Sequence, residues 1–250
     1  MQVFYEVALL IAAGIFAGFV NTMAGGGSLL TLPLLIFLGL PPAVANGTNR
    51  IAIVVATFSA NVGYVSKKVI TYPFSICLGI TALAGAILGA RIAIDIEGEL
   101  FNRILAIIMI VVVLIMVFKP KFSANETQER ITGMPLVISM AAFFFIGIYG
   151  GFINAGIGFI IMLFLNLFNR MNLVRVNATK VGVAFIYTMG ALITFALSGS
   201  VNWFYGICLA VGTSIGAWSA SRISIAKGEG IIKTIMIVMV LLMSIKLWFF

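Results

Sequence analysis

The sequence has no histidine, two cysteines and seven acidic residues among 250. Without histidine, and with no Cys or carboxylate cluster at ligand spacing, no metal centre is expected. No paired carboxylates or activated nucleophile lie inside an apolar run, so the chain does not read as an enzyme and implies no cofactor. A phosphate-cradling ATP loop is also missing, which argues against primary active transport by this chain alone. Cys77 and Cys208 both fall inside apolar runs; they read as buried free thiols and do not report a redox compartment. Charged residues make up 9% of the chain against 62% apolar. A soluble domain of this length needs more polar surface, whereas a lipid-facing helical bundle does not. The short alternating segments of a membrane β-barrel are absent. The formal charge is +8, but Lys and Arg occur singly or in pairs between apolar runs, as loop charges of a membrane protein do, and form no nucleic-acid patch. Residues 1–7 carry no basic stretch and only the charge of Glu6, so the start reads as a retained helix and not a cleaved signal.

What is present is a succession of apolar runs near the 20 residues that span a bilayer. Ten can be drawn: 3–20, 29–40, 47–65, 73–94 and 100–118, then 133–153, 157–168, 178–197, 204–225 and 231–249. The expected fold is therefore an all-α polytopic transmembrane helical bundle. It divides into a first repeat (1–118), a polar linker (119–132) and a second repeat (133–250). Duplication is visible in the residues. Asn46-Gly-Thr48-Asn49 matches Asn177-Ala-Thr179-Lys180, and 177 minus 46 gives an offset of 131. At that offset Tyr72 meets Trp203, Cys77 meets Cys208, Gly85 meets Gly216 and Arg91 meets Arg222. Upstream, Gly18-Phe-Val-Asn21 matches Gly151-Phe-Ile-Asn154 at 133, the second half having lost two residues where Gly25-Gly26-Gly27 becomes Gly156-Ile-Gly158.

Loop charge bears on orientation. If all ten runs cross, one side receives Lys67, Lys68, Lys119, Lys121, Arg170, Arg175, Arg222 and Lys227. The other receives Asp95, Glu97 and Glu99, flanked by Arg91 and Arg103, and the uncharged loop 198–202. Lys and Arg gather on the cytoplasmic side, which would put both termini outside. The Lys67–Lys68 loop and the uncharged 198–202 loop are repeat equivalents of opposite character, as inverted repeats require. With only eight crossings that bias largely disappears. Arg91 and Arg222 read as topological charges at helix ends. Tyr72, Trp203 and Trp248 read as interfacial belt residues, and Gly85/Gly89 and Gly212/Gly216 as small-residue packing faces.

The two short runs locate a candidate site. Twelve residues from 29 to 40 reach about 18 Å, less than the roughly 30 Å hydrocarbon core, so one end must lie at depth. Glycine-interrupted short segments at matching places in two halves mark a transporter's binding region. The flanks supply hydrogen-bonding groups: Asn21, Thr22, Gly25, Gly26, Gly27 and Ser28 before the first short run, Asn46, Thr48, Asn49 and Arg50 after it. In the second half Asn154, Gly156 and Gly158 precede the short run, and Asn177, Thr179 and Lys180 follow it. Asn46 and Asn177 are expected as helix N-caps. The helix starts they mark would favour an anion beside Arg50 and Lys180. Two bland alternatives stand beside this: the glycines could only permit close packing, and the cations could snorkel to headgroups. All seven acids sit at run ends or in loops, so the buried field should be positive and the ligand negative.

These residues resemble a known family. Gly18-Phe-Val-Asn21-Thr-Met-Ala-Gly-Gly-Gly-Ser28, followed by Pro33, Gly39 and Asn46-Gly-Thr48-Asn49, is similar to the signature of the TauE/SafE permeases, the sulfite exporters. Gly147-Ile-Tyr-Gly-Gly-Phe-Ile-Asn154-Ala-Gly-Ile-Gly158 with Asn177-Ala-Thr179-Lys180 resembles the second signature, with a shorter glycine run than is common there. The resemblance covers nearly the whole chain and implies a permease, usually bacterial and in the plasma membrane, for sulfite or organosulfonates such as sulfoacetate or taurine-related compounds. The expected function is secondary transport of such anions by alternating access. An anion channel and a non-transporting scaffold or assembly factor are the alternatives. The expected partners are a small anion and the lipid bilayer, with no nucleic acid; a homodimer is possible but unspecified by the sequence.

Overall fold

A computed structural model describes residues 2–67, 69, 72–117 and 129–222. Residues 119–128 of the expected linker and the whole tenth run (231–249) lie outside the described residues. So do Lys68, Lys119, Lys121, Glu126, Lys227, Glu229 and Trp248.

Among the described residues the chain is entirely helical. The helices are α1 (Gln2–Ala24), α2 (Ser28–Phe37), α3 (Pro42–Ser66), α4 (Tyr72–Asp95), α5 (Gly98–Val117), α6 (Met134–Phe152), α7 (Ile157–Leu167), α8 (Leu173–Leu197) and α9 (Trp203–Arg222). The expected all-α membrane architecture is what forms. Spans Phe4–Met23, Tyr72–Asp95, Met134–Phe152 and Leu173–Leu197 are long and apolar enough to cross a bilayer. Their outer faces carry large apolar side chains in the open: Ile80, Phe145 and Ile193 are each more than half exposed. In water such a surface would aggregate, whereas in lipid it is solvated.

Two starts differ from expectation. The third apolar run starts at 47 in the sequence, but α3 begins at Pro42. Proline suits the first turn, because its missing N–H would have no partner there and its φ is already helical. The eighth starts at 178 in the sequence, but α8 begins at Leu173, where the Asn172 side chain accepts a hydrogen bond from the Arg175 N–H at 3.0 Å. Asn46 and Asn177 are therefore not caps. Each lies inside its helix, its side chain committed elsewhere, which is how a polar residue survives there.

Small residues bring the helices together. Cβ atoms on Gly85 and Gly89 of α4 would overlap the α6 carbonyls of Phe144 and Ile148; on Gly212 and Gly216 of α9 they would overlap the α1 carbonyls of Ile11 and Ile15. Dispersion at such close approach holds helices together in lipid, where hydrophobic burial contributes little. The two glycine pairs expected as packing faces serve as such. They also show how the halves combine: α1 of the first packs on α9 of the second, α6 of the second on α4 of the first, and α3 crosses α8 between them.

The two short helices are as short as expected. α2 has 10 residues and α7 has 11, reaching about 15 and 17 Å, and both are mostly buried. The breaks before them need left-handed backbone: Gly25 has φ +76°, Gly156 +70° and Asn154 +63°. Glycine takes this conformation freely and asparagine tolerates it. The two breaks meet, since a Cβ on either Gly25 or Gly158 would overlap the other's backbone.

Candidate functional site

Four helix ends converge where the breaks meet. α1 and α6 arrive by their C-termini, α2 and α7 leave by their N-termini, and α3 and α8 pass alongside. The last carbonyls of a helix have no partner within it, and at depth no bulk water is available to supply one. Two cations fill that need, each reaching across to the other half. Arg50 of α3 donates from Nη1 to the Gly150 carbonyl at 2.6 Å and from Nη2 to the Gly151 carbonyl at 2.8 Å and Asn46 Oδ1 at 2.9 Å. Lys180 of α8 donates from Nζ to the Thr22 carbonyl at 3.0 Å, the Asn21 carbonyl at 3.3 Å and Asn177 Oδ1 at 2.8 Å. The negative end of a helix dipole favours both placements. Arg50 is 0% and Lys180 3% exposed, so neither reaches headgroups.

Neither cation meets a carboxylate among the described residues. The ion pairs among the described residues are Arg103–Glu99 and Arg175–Glu129, with half-exposed or exposed side chains, away from the helix breaks. Among the described residues the centre thus sets two basic side chains against neutral dipoles only.

Two small cavities lie at this junction. One, of about 20 Å³, is lined by Lys180, Tyr187, Asn154, Thr57 and Ile161 among others. The second, of about 10 Å³, is lined by Asn49, Thr31, Ser28 and Thr213 among others. Asn21 and Ile53 form a wall of both. Each volume is about that of one water.

The expected residues sort into three groups. Asn21, Ser28, Asn49, Asn154, Gly158 and Lys180 gather around the cavities, with Gly27 at the edge of the smaller one. Ser28 Oγ accepts from Asn154 Nδ2 at 3.0 Å, joining the halves. A second group is structural in its contacts. Asn46 Nδ2 donates to the Phe152 carbonyl at 2.6 Å, Thr22 returns its hydroxyl to Gly18 at 3.0 Å, and Asn177 holds Lys180. Gly25 and Gly156 shape the breaks, Gly156 against the Val112 side chain, while Gly26 is buried within one. The third group points away. Thr48 Oγ1 accepts from the Asn202 N–H at 2.8 Å, tethering the start of α9. Thr179 is its repeat equivalent and fully buried, its Oγ1 without a hydrogen-bond partner among the described residues.

Three residues were not anticipated. Tyr187 is 1% exposed and donates to Asn154 Oδ1 at 2.7 Å. It stands seven residues after Lys180, two turns along the same helix face, a spacing visible in the sequence. Thr31 donates to Asn49 Oδ1 at 2.7 Å, and Met162 Sδ accepts from Lys180 at 3.5 Å. Thr31 and Met162 are themselves repeat equivalents at the 131 offset, as are Asn49 and Lys180.

Comparison with known proteins agrees with this architecture. The sequence model described as Sulfite exporter TauE/SafE matches residues 10–247. The chain is 29% identical to the probable membrane transporter protein ORF9 of Sinorhizobium sp, over 98% of this chain and 93% of that one. It is 27% identical to a probable membrane transporter protein of Haemophilus influenzae over 96% and 94% of the two chains. To the probable membrane transporter protein YfcA of Escherichia coli it is 29% identical over 96% and 89%. No solved structure matches the chain. With nearly its whole length matched, the protein belongs to the sulfite exporter TauE/SafE family of membrane transporters.

Proposed function

We propose that the protein is a secondary carrier of small anions, sulfite or an organosulfonate, crossing a bacterial plasma membrane several times and working by alternating access between two inverted repeats. The observation that carries this reading is Lys180: a buried basic side chain, facing a cavity at the helix breaks, with no carboxylate beside it among the described residues. An isolated charge at the bilayer centre is disfavoured by roughly 2.5–3.5 kcal/mol on insertion scales. Carbonyl dipoles offset part of that cost and leave the charge itself uncompensated. An incoming anion neutralises it, aided by the positive N-terminal ends of α2 and α7.

Arg50 has a different part. It lines neither cavity, and its Nη atoms are consumed by α6 and Asn46. It braces the second break, while Lys180 both braces the first and faces the cavity.

The size of the cavity is that of a carrier closed around an empty site. A space of about 20 Å³ does not admit an oxyanion of four heavy atoms, so loading requires the helices around it to separate. Ions flow through an open channel without that step. Sulfite and organosulfonates come to this chain from its family's description and its motif resemblance, and the positive centre agrees with them in sign.

The test is transport in proteoliposomes of purified protein, with charge movement recorded on a solid-supported membrane and flux followed with labelled substrate. Sulfite, sulfoacetate and taurine are compared with a carboxylate control. Saturable movement of a sulfur oxyanion, with unitary channel currents absent, is expected. Folded protein that moves and binds none of them would overturn the reading.

A further inference from the structure

We infer that the site takes a singly charged anion with a neutral hydrogen-bonding group at its far end, the charged head at Lys180 and the neutral end at Asn49. This rests on the proposed anion site, selects the organosulfonate over sulfite within that reading, and assigns the ligand's charge and polarity.

About half of the Asn49 cavity's lining has its repeat equivalent in the wall of the Lys180 cavity. Moving the Asn49 cavity's lining by the repeat offsets takes Asn49 to Lys180, Thr31 to Met162, Ile53 to Ala184, Ala56 to Tyr187 and Asn21 to Asn154. Lys180, Ala184, Tyr187 and Asn154 all line the other cavity. Even the contact is duplicated: Thr31 bonds Asn49, and its equivalent Met162 touches Lys180. Duplication has thus produced one binding site with two poles, which have diverged in charge. One holds an ammonium against a soft thioether; the other holds an amide against a hydroxyl.

The neutral pole has an open valence. Asn49 is 1% exposed, and its Oδ1 is occupied by the Thr31 hydroxyl. Its Nδ2 is buried without a hydrogen-bond partner. A buried donor left unmade is costly, and native interiors contain few. This one lies in the wall of a polar cavity, separated from the Lys180 cavity by Asn21 and Ile53. When the helices separate to admit a ligand, the two cavities open as one, and the amide can donate to the ligand's second polar group. Among the described residues a single cation, Lys180, faces that combined space, because Arg50 lines neither part of it. A monoanion leaves the loaded site neutral. A dianion leaves an uncompensated negative charge at depth, which is disfavoured.

A near-isosteric pair tests this. 2-Hydroxyethanesulfonate and sulfoacetate share the sulfonate and differ in carrying an alcohol or a second negative charge. Binding of each is measured by calorimetry on the full chain in lipid nanodiscs at neutral pH, for the wild type and for Asn49→Lys. The wild type is expected to bind 2-hydroxyethanesulfonate at least about 10-fold more tightly, and Asn49→Lys to reverse or erase that preference. Equal or tighter binding of sulfoacetate by the wild type overturns the inference and leaves the anion site standing. Binding of neither overturns both. Should Asn49→Lys not fold, the wild-type ranking still decides, and Asn49→Leu, which removes the amide alone, is expected to weaken 2-hydroxyethanesulfonate and leave sulfoacetate nearer its original affinity.

Discussion

Arg50 on α3 and Lys180 on α8 each cross to the opposite half and bind the carbonyls at the end of a broken helix. They are not repeat equivalents: the 131 offset pairs Arg50 with Val181 and Lys180 with Asn49. The guanidinium presents a planar fork whose two Nη atoms engage two adjacent carbonyls and an amide oxygen, while Nε has no partner among the described residues. The ammonium is a compact point charge on a flexible stem, which can turn toward a ligand. A duplicated scaffold has thus met the same need, satisfying carbonyls at depth, in two chemically different ways. Only one of them leaves a cation beside a cavity.

The comparison breaks most sharply at Arg50. Arg50→Met would leave the carbonyls of Gly150 and Gly151 without these donors in an apolar surround, and each orphaned group costs about 1–3 kcal/mol. We expect thermal unfolding in detergent to show a loss on the order of 3 kcal/mol or more. An unchanged melting temperature would remove the brace assignment. Next is the meeting of the breaks. Gly25→Ala places a methyl on the backbone of Gly158 at a φ of +76°, where a non-glycine residue is strained by roughly 1–3 kcal/mol before any clash. Little folded protein should be recovered on size-exclusion chromatography, and a monodisperse wild-type yield would contradict the packing.

Smaller effects separate the two asparagines. Asn46→Ala removes a hydrogen bond to the Phe152 carbonyl as well as one to Arg50, whereas Asn177→Ala removes the described bond to Lys180. The first should lower stability by about 1–2 kcal/mol, and the second should change anion affinity more than melting. The reverse pattern would exchange the roles of the halves. Smallest is the pair Gly206 and Gly182. A Cβ on Gly206 would strike the end of the Ile51 side chain, whereas on Gly182 it would make ordinary contact with Ser75 Cβ at 3.4 Å. Gly182 also borders an apolar groove of about 560 Å³ between α3, α4 and α8. Gly206→Ala should destabilise measurably, whereas Gly182→Ala should be neutral or stabilise by up to about 1 kcal/mol, as chemical unfolding would record.

Much of this was legible in the sequence. Run lengths point to the helices, and two short runs to the breaks, because bilayer thickness sets a length that 12 residues do not meet. The glycine pairs at 85/89 and 212/216 declared the packing faces. Positive charge at the centre followed from where the acids are not. Asn46 and Asn177 misled because a side chain that can cap a helix can equally bond a neighbouring helix from within its own. Pro41-Pro42 and Asn172 were the truer start signals. Only the tertiary fold could show that the cations serve the opposite half, or that Gly25 and Gly158 touch. Tyr187 and Thr31 passed as ordinary residues of apolar helices, and their role appears only when the repeat is laid over the contacts.

The most direct measurement is anion binding to Lys180→Met in nanodiscs, with melting temperature measured alongside. Methionine keeps the apolar stem and removes the charge. The account predicts that calorimetry finds no saturable sulfonate binding while the variant still unfolds cooperatively. Wild-type affinity in that folded variant would contradict it and move the site elsewhere.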